Sequence, residues 1–330
     1  MKEQKQRDYC IDALKMMLIV LVIYGHIPLL DGFIHNGVSI ECNTLTWTAV
    51  NGIYAFHMPL FVLISGYFTR QKQFAEQLSK SINLLRLFLI FHLIDLFLNW
   101  CYSETTPSLH SLVYPSFAIW YLLCLFYWRI LISLIPNKWN RKHIVVASVA
   151  ISLMIGFVPI RGEIGFHRFF SFMPYFMIGH YYGQDMMQRV QIIANRFTPP
   201  ILALLIIFML LIAIVASFNP RWLDVIISPY SNYKGLLLRT AYLGYSMLLC
   251  FGILIVFKFK KNWNQNSLST LGEDTLFFYL YHPYILYSVV YAWSLLTPKV
   301  NFLSSLLIVG TTTMLLLLLH RNKYLHNILR

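Results

Sequence analysis

Charge is scarce in this sequence. Only 12% of its 330 residues are Asp, Glu, Lys or Arg, about half the share of an ordinary soluble domain. No long polar stretch interrupts the apolar runs, so a separate soluble domain of ordinary size has nowhere to fold, and one membrane domain over residues 1–330 is expected. The five cysteines, Cys10, Cys42, Cys101, Cys124 and Cys250, are scattered, with no CxxC or other metal-ligand spacing. Neither a metal nor a cluster is expected, and a Cys42–Cys101 bridge is the single pairing considered. GxSxG, HExxH, GxxxxGK[ST] and zinc-type Cys/His spacings are all missing, which disfavours a serine hydrolase, a zinc protease and a P-loop ATPase. There is no convincing internal repeat, which counts against an inverted-repeat transporter. The basic start, MKEQKQRDYC, has no small-residue cleavage site after it and is expected to be a retained cytoplasmic end.

What is present is hydrophobic: 58% of the residues and a mean hydropathy of +0.61. The expected fold class is all-α, a polytopic membrane protein with about ten transmembrane helices. These fall at roughly 10–29, 48–68, 82–101, 112–135, 142–158, 167–185, 199–217, 236–257, 274–294 and 302–319. A net charge of +13 on a soluble protein would suggest nucleic acid; here the positions of the charges report topology, and no nucleic-acid partner is expected. With the N-terminus inside, the inner segments hold eighteen of the basic residues, including Arg70, Lys72, Lys80, Arg86, Lys138, Arg141, Lys142, Lys258 and Arg321. The outer segments hold six: Arg161, Arg168, Arg221, Lys234, Arg239 and Lys299. Both termini are therefore expected in the cytoplasm. Pro174 with Gly179 in the sixth span, and Gly52 with Pro59 in the second, mark either broken helices beside a wet cavity or ordinary proline kinks.

Titratable groups inside apolar spans are costly and point to function. In the first span, at about 100° per residue, Asp8, Asp12, Lys15 and His26 share one face, and Lys15 and His26 stand ~16 Å apart along it. That face reads as the wall of a polar channel; the other reading has Lys15 snorkelling to the inner headgroups and His26 resting at the outer interface. In the third span His92, Asp95 and Asn99 fall within about 60° of one another, at a depth that would let Asp95 or His92 orient the His26 ring. Asp95 as counter-ion of Lys15 or Arg129 is the competing account. His57 and His282 lie mid-span, each beside a proline whose disrupted backbone can accept a hydrogen bond. His35, His110, His143 and His326 fall in loops or tails and receive no role. A membrane-depth imidazole on a polar stripe suits general-base activation of a hydroxyl or covalent carriage of an acyl group.

At these residues the chain resembles a known family. DALKMMLIVLVIYGH, FHMPLFVLISGYF, WYLLCLFYWRIL, FFSFMPYFMIGHYYG and FFYLYHPYIL, in that order, are similar to motifs of the bacterial membrane acyltransferases of family three, and within it to the fucose 4-O-acetylase-like sugar O-acetyltransferases. The resemblance implies a ten-span enzyme of the bacterial inner membrane. It would move acetyl from cytoplasmic acetyl-CoA, a substrate rather than a bound cofactor, to a hydroxyl of a surface glycan, polysaccharide or lipid-linked precursor. The family's basic-residue-then-His pattern falls on Lys15 and His26, where Lys keeps the charge but not the guanidinium fork. Of the family's two arginines spaced three apart at the third span, Arg86 matches, Asn83 stands at the other position, and Lys80 is a substitute. The expected catalytic residues are His26, Lys15, Asp12 and Asp95, and Arg86, Lys80, Lys72 and Arg70 are expected to hold coenzyme A phosphates. His57, Trp120, Tyr121, Arg168 and His282 are expected to bind the acceptor. Positive-inside topology explains the basic cluster equally well, and an interfacial aromatic belt explains Trp120 and Tyr121. The alternative function is a transporter or flippase for a glycan or small polar solute.

Overall fold

Hydrocarbon offers no hydrogen bonds, so an apolar run entering it must satisfy its own backbone as helix. The computed structural model describes residues 8–32, 40–103, 114–115, 118–159, 163–217, 222–259 and 267–329, and nearly all of its elements are helical. In chain order they are α1 (Tyr9–His26), α2 (Thr44–Tyr54), α3 (His57–Phe68), α4 (Phe74–Ser103), α5 (Trp120–Leu134), α6 (Arg141–Met154) and α7 (Phe166–Arg196). They continue with α8 (Pro199–Ser217), α9 (Trp222–Ile227), α10 (Tyr233–Phe259), α11 (Ser267–Leu271), α12 (Thr275–Ser294), α13 (Phe302–Leu319) and α14 (Lys323–Leu329). The all-α expectation is met. Among the described residues five stretches are long and apolar enough to cross a membrane: Tyr9–Leu30, Thr44–Phe68, Phe74–Leu98, Tyr233–Phe259 and Phe302–Leu319. The chain is a multi-pass membrane protein. The expected cytoplasmic start at residues 1–7 and the side chain of Cys101, on which the disulfide expectation depends, lie outside the described residues.

Without a hydrophobic drive between helices, membrane bundles pack through small residues that let backbones meet. The contact of α3 with α7 works this way. A Cβ added at Gly66 would fall 2.2 Å from the Phe176 carbonyl oxygen, and one at Gly179 would fall 2.0 Å from that of Leu63. Helix α7 therefore lies directly on α3 and runs unbroken through Pro174, so the sixth span is not a broken helix. Helix α1 packs on α11, α12, α13 and α2, while α4 packs mainly on α5. A short sheet contact, Glu41–Cys42 parallel to Lys299–Val300, ties the approach to α2 to the start of α13.

The second span is interrupted, between Tyr54 and His57. Backbone groups near such a break are braced by added donors, and three side chains reach carbonyls across it. His57 Nδ1 lies 2.8 Å from the Ile53 carbonyl, the Tyr242 hydroxyl donates to that of Tyr54 at 2.9 Å, and the Cys250 thiol reaches that of Phe56 at 3.8 Å. A second device of this kind is Arg239, which is 1% exposed. Its guanidinium donates to the carbonyls of Val225, Ser152, Ile226 and Ser228 at 3.0, 3.3, 3.3 and 2.8 Å. It thereby pins α9, and with it Ile226 and Ile227, against α10.

Candidate active site

His26 is the last residue of α1, 7% exposed and held against α12. Its Nδ1 is 2.9 Å from Nε2 of His282, with the two rings stacked at a 12° interplanar angle. The position of His282 follows from the residue after it. Pro283 lies inside α12 and has no N–H, so the carbonyl four residues back, that of Tyr279, loses its helical donor. His282 Nδ1 stands 2.7 Å from that carbonyl. A carbonyl can only accept, so Nδ1 of His282 carries the hydrogen and its Nε2 carries the lone pair. That lone pair in turn can only accept, so the hydrogen between the rings belongs to Nδ1 of His26. The remaining nitrogen of His26, Nε2, is thereby set as a base. One proline fixes two tautomers.

His26 opens onto a cavity of about 270 Å³, the smaller end of the range for ligand pockets. Its wall is aromatic: Tyr54, Tyr114, Trp120, Phe172 and Tyr279, with Val22, Leu29, Met58, Ala118, Ile226 and Ile227. His57 and Arg168 supply the other polar groups. The Arg168 guanidinium lies over the Trp120 ring, 5.3 Å from its centroid, and Tyr54 meets His57 edge-on at 4.8 Å. The hydroxyl of Tyr279 donates to the Ala118 carbonyl, which holds the start of α5 at the rim. Such a wall suits a sugar ring, whose C–H faces stack on aromatic side chains while its hydroxyls meet the few polar groups.

The sequence placed His26 beside Asp95 or His92. The structure places His282 there. Asp95 instead accepts from the Tyr284 hydroxyl of α12 at 2.7 Å, and His92 stacks on Phe88 of its own helix, so α4 meets α12 at Tyr284 while α12 in turn presents His282 to α1. Lys15 pairs with Asp12 at 2.7 Å, so its counter-ion is neither Asp95 nor a residue of another helix. Lys15 is not among the cavity's lining residues, and the face joining it to His26 carries Ile19 and Val22. The polar wall expected along α1 is thus interrupted by aliphatic side chains. Of the expected acceptor residues, His57, Trp120 and Arg168 line the cavity, and His282 stands behind His26. Tyr121 is not among its lining residues and is bonded to the Ser65 hydroxyl. Tyr54, Tyr114, Phe172 and Tyr279 were not singled out in the sequence. Tyr279 had one signal, its place four residues before a mid-span proline.

At the other end of α1 the basic residues gather. Lys15 Nζ lies 5.9 Å from the Phe68 ring at the end of α3, and Arg70 and Lys72 follow directly. Lys72 and Lys80 share Glu76 at 2.8 and 2.9 Å. Arg86 donates to the Ile328 carbonyl at 3.3 Å and Asn83 to that of Leu329 at 3.1 Å, so both touch α14. Asp274, His320 and His326 lie at this end too, with ligand atoms within 4.8 Å of one another, a composition that fits a divalent metal. His326 was given no role from sequence. Its Nε2 donates to the His320 carbonyl, 2.7 Å away, since a carbonyl can only accept.

In comparison with known proteins, the family model for an acyltransferase domain, of the third acyltransferase family, aligns with residues 8–321, nearly the whole chain. Neither a curated protein nor a solved structure matches.

Proposed function

This chain belongs to acyltransferase family 3, and from that premise we propose that it moves an acetyl group from cytoplasmic acetyl-CoA to a hydroxyl of a carbohydrate. The observation that carries this reading is the run from the Tyr279 carbonyl through His282 to His26, set in an aromatic cavity wall. Nε2 of His26 takes the proton of the acceptor hydroxyl as its oxygen bonds to the thioester carbonyl carbon. The C–S bond of the tetrahedral intermediate then breaks, His26 returns the proton to the leaving sulfur, and an O-acetyl ester and free coenzyme A result. No third reactant is needed. His282 acts through His26 by holding its tautomer, and Trp120, Tyr54 and Tyr114 carry the sugar.

The donor approaches from the opposite end of α1. Arg70, Lys72, Lys80 and Arg86 bind its phosphates, and Lys15 with Asp12 marks the start of the pantetheine route along the face of Ile19 and Val22. In the same reading the chain spans the inner membrane of a bacterium ten times with both termini in the cytoplasm. The acceptor is a surface glycan, polysaccharide or lipid-linked precursor that reaches the His26 end. The test is to incubate membranes containing the protein with radiolabelled acetyl-CoA and extracted envelope glycans. Wild type labels the glycan and His26→Ala does not, while both are present in the membrane at equal level. Equal labelling by the two removes His26 as the base.

A further inference from the structure

We propose that the acceptor is an acidic carbohydrate, one that carries a carboxylate or phosphate group, and that Arg168 binds that group inside the cavity. The proposal deepens the transferase reading, on which it rests for calling the cavity the acceptor site, but its observations are separate. Nη1 of Arg168 is buried and has no hydrogen-bond partner, although a guanidinium has five N–H groups to satisfy. Arg239 in the same protein shows what a structural arginine does: four backbone carbonyls surround it. Arg168 has the ring of Trp120 instead, 5.3 Å from its centroid, and lines the cavity beside it.

Among the described residues this charge has no carboxylate partner at the cavity: no Asp or Glu lines it, and its other polar members are His26, His57 and three tyrosines. Removing a cation from water without a counter-charge costs several kcal/mol, and such a group persists where a ligand supplies the missing charge. A sugar hydroxyl or a thioester carbonyl would give Nη1 a lone pair and leave the positive charge uncompensated. Carboxylate and phosphate do both, and their oxygens match the planar fork that distinguishes arginine from lysine. The acidic group then anchors the sugar at Arg168 while a hydroxyl elsewhere on the same ring meets His26, both residues being walls of the one cavity.

The experiment uses the full chain in detergent or nanodiscs and three probes built on one ring: methyl glucoside, methyl glucuronide and methyl glucoside 6-phosphate. Equilibrium binding is read from tryptophan fluorescence, since Trp120 lies against Arg168. Wild type should bind at least one acidic probe about ten-fold or more tightly than the neutral one. Preference for the glucuronide points to a uronic-acid acceptor, and preference for the phosphate to a phosphorylated sugar. Arg168→Gln should erase the ratio and Arg168→Lys should keep part of it. Equal affinity for all three probes, or binding of none, overturns the proposal on wild type alone, whether or not the variants fold. A ratio that survives in a folded Arg168→Gln overturns it as well. Acetyl transfer from labelled acetyl-CoA is followed in the same preparations. An acidic preference with no transfer to any glycan refutes the transferase and keeps the anion site; transfer without the preference does the reverse.

Discussion

His282→Phe tests the positioning of the base directly. Phenylalanine keeps the size of the ring and its stacking on His26, at 5.1 Å between centroids, and removes both nitrogens. Two hydrogen bonds are lost, the 2.9 Å contact to His26 and the 2.7 Å contact to the Tyr279 carbonyl. Leaving a buried polar group bare costs about 1–3 kcal/mol, at the lower end inside a membrane, where freed groups find other partners. The His26 ring is then no longer held in one tautomer. If the lost contact is worth ~1.4 kcal/mol to the transition state, kcat falls ten-fold; the ceiling is the whole contribution of a positioned base, about 10²–10⁴-fold. KM for both substrates should hardly change, because His282 is not among the lining residues of the cavity. His282→Gln, whose amide can accept from His26 and donate to Tyr279, should recover part of the loss. In a His26→Ala background His282→Phe should have no further effect on rate, since it acts only through the residue already removed. The assay is steady-state acetyl transfer by purified protein, with thermal unfolding in detergent as the measure of folding. A folded His282→Phe with kcat within about two-fold of wild type, against the ten-fold predicted, would refute the relay.

Two further substitutions test the scaffold and the chamber. Gly66→Ala places a methyl group 2.2 Å from the Phe176 carbonyl oxygen, so α3 and α7 must separate; a loss of about 1–3 kcal/mol in stability is expected, read as earlier thermal unfolding, and unchanged unfolding would show that this backbone contact is not tight. Val22→Phe narrows the cavity one turn below His26 on the face that leads to Lys15. It should lower kcat/KM for acetyl transfer by about ten-fold or more while unfolding stays near wild type, and normal kcat/KM would show that the reaction takes place elsewhere.

Much of the candidate site was legible because helices make depth and face calculable. From the spacing of polar residues alone, Asp12 and Lys15 belonged together and His26 belonged at the far end of the same helix, and the structure has both. What a helical wheel does not hold is which helix stands opposite. Asp95 has a suitable depth and a polar face, yet its carboxylate meets Tyr284 of α12 instead of the imidazole on α1. The true neighbour of His26 is 256 residues away in sequence, a separation that no local pattern reports. The pair His282–Pro283 signals a hydrogen bond to disrupted backbone, and His282 was expected at the acceptor site, but nothing in that pair points to His26. The backbone bond and the contact with His26 use the two nitrogens of one ring.

This coincidence has a physical reason. In water-soluble triads a carboxylate orients the imidazole, but a carboxylate buried at membrane depth brings a charge that must be desolvated. A proline inside a helix provides a neutral substitute. It frees one carbonyl whose need for a donor is strongest where no water can reach it, and a histidine on the preceding residue meets that need with one nitrogen and turns the other outward. The arrangement orients a base without a buried anion, and the cavity it serves contains, among the described residues, cationic and neutral groups alone. An acidic orienting residue would have competed with an acidic acceptor for Arg168. On the proposed reading, the neutral relay of His282 and the charge of Arg168, which has no carboxylate partner among the described cavity residues, are two sides of one electrostatic arrangement, in which the negative charge is left for the substrate to bring.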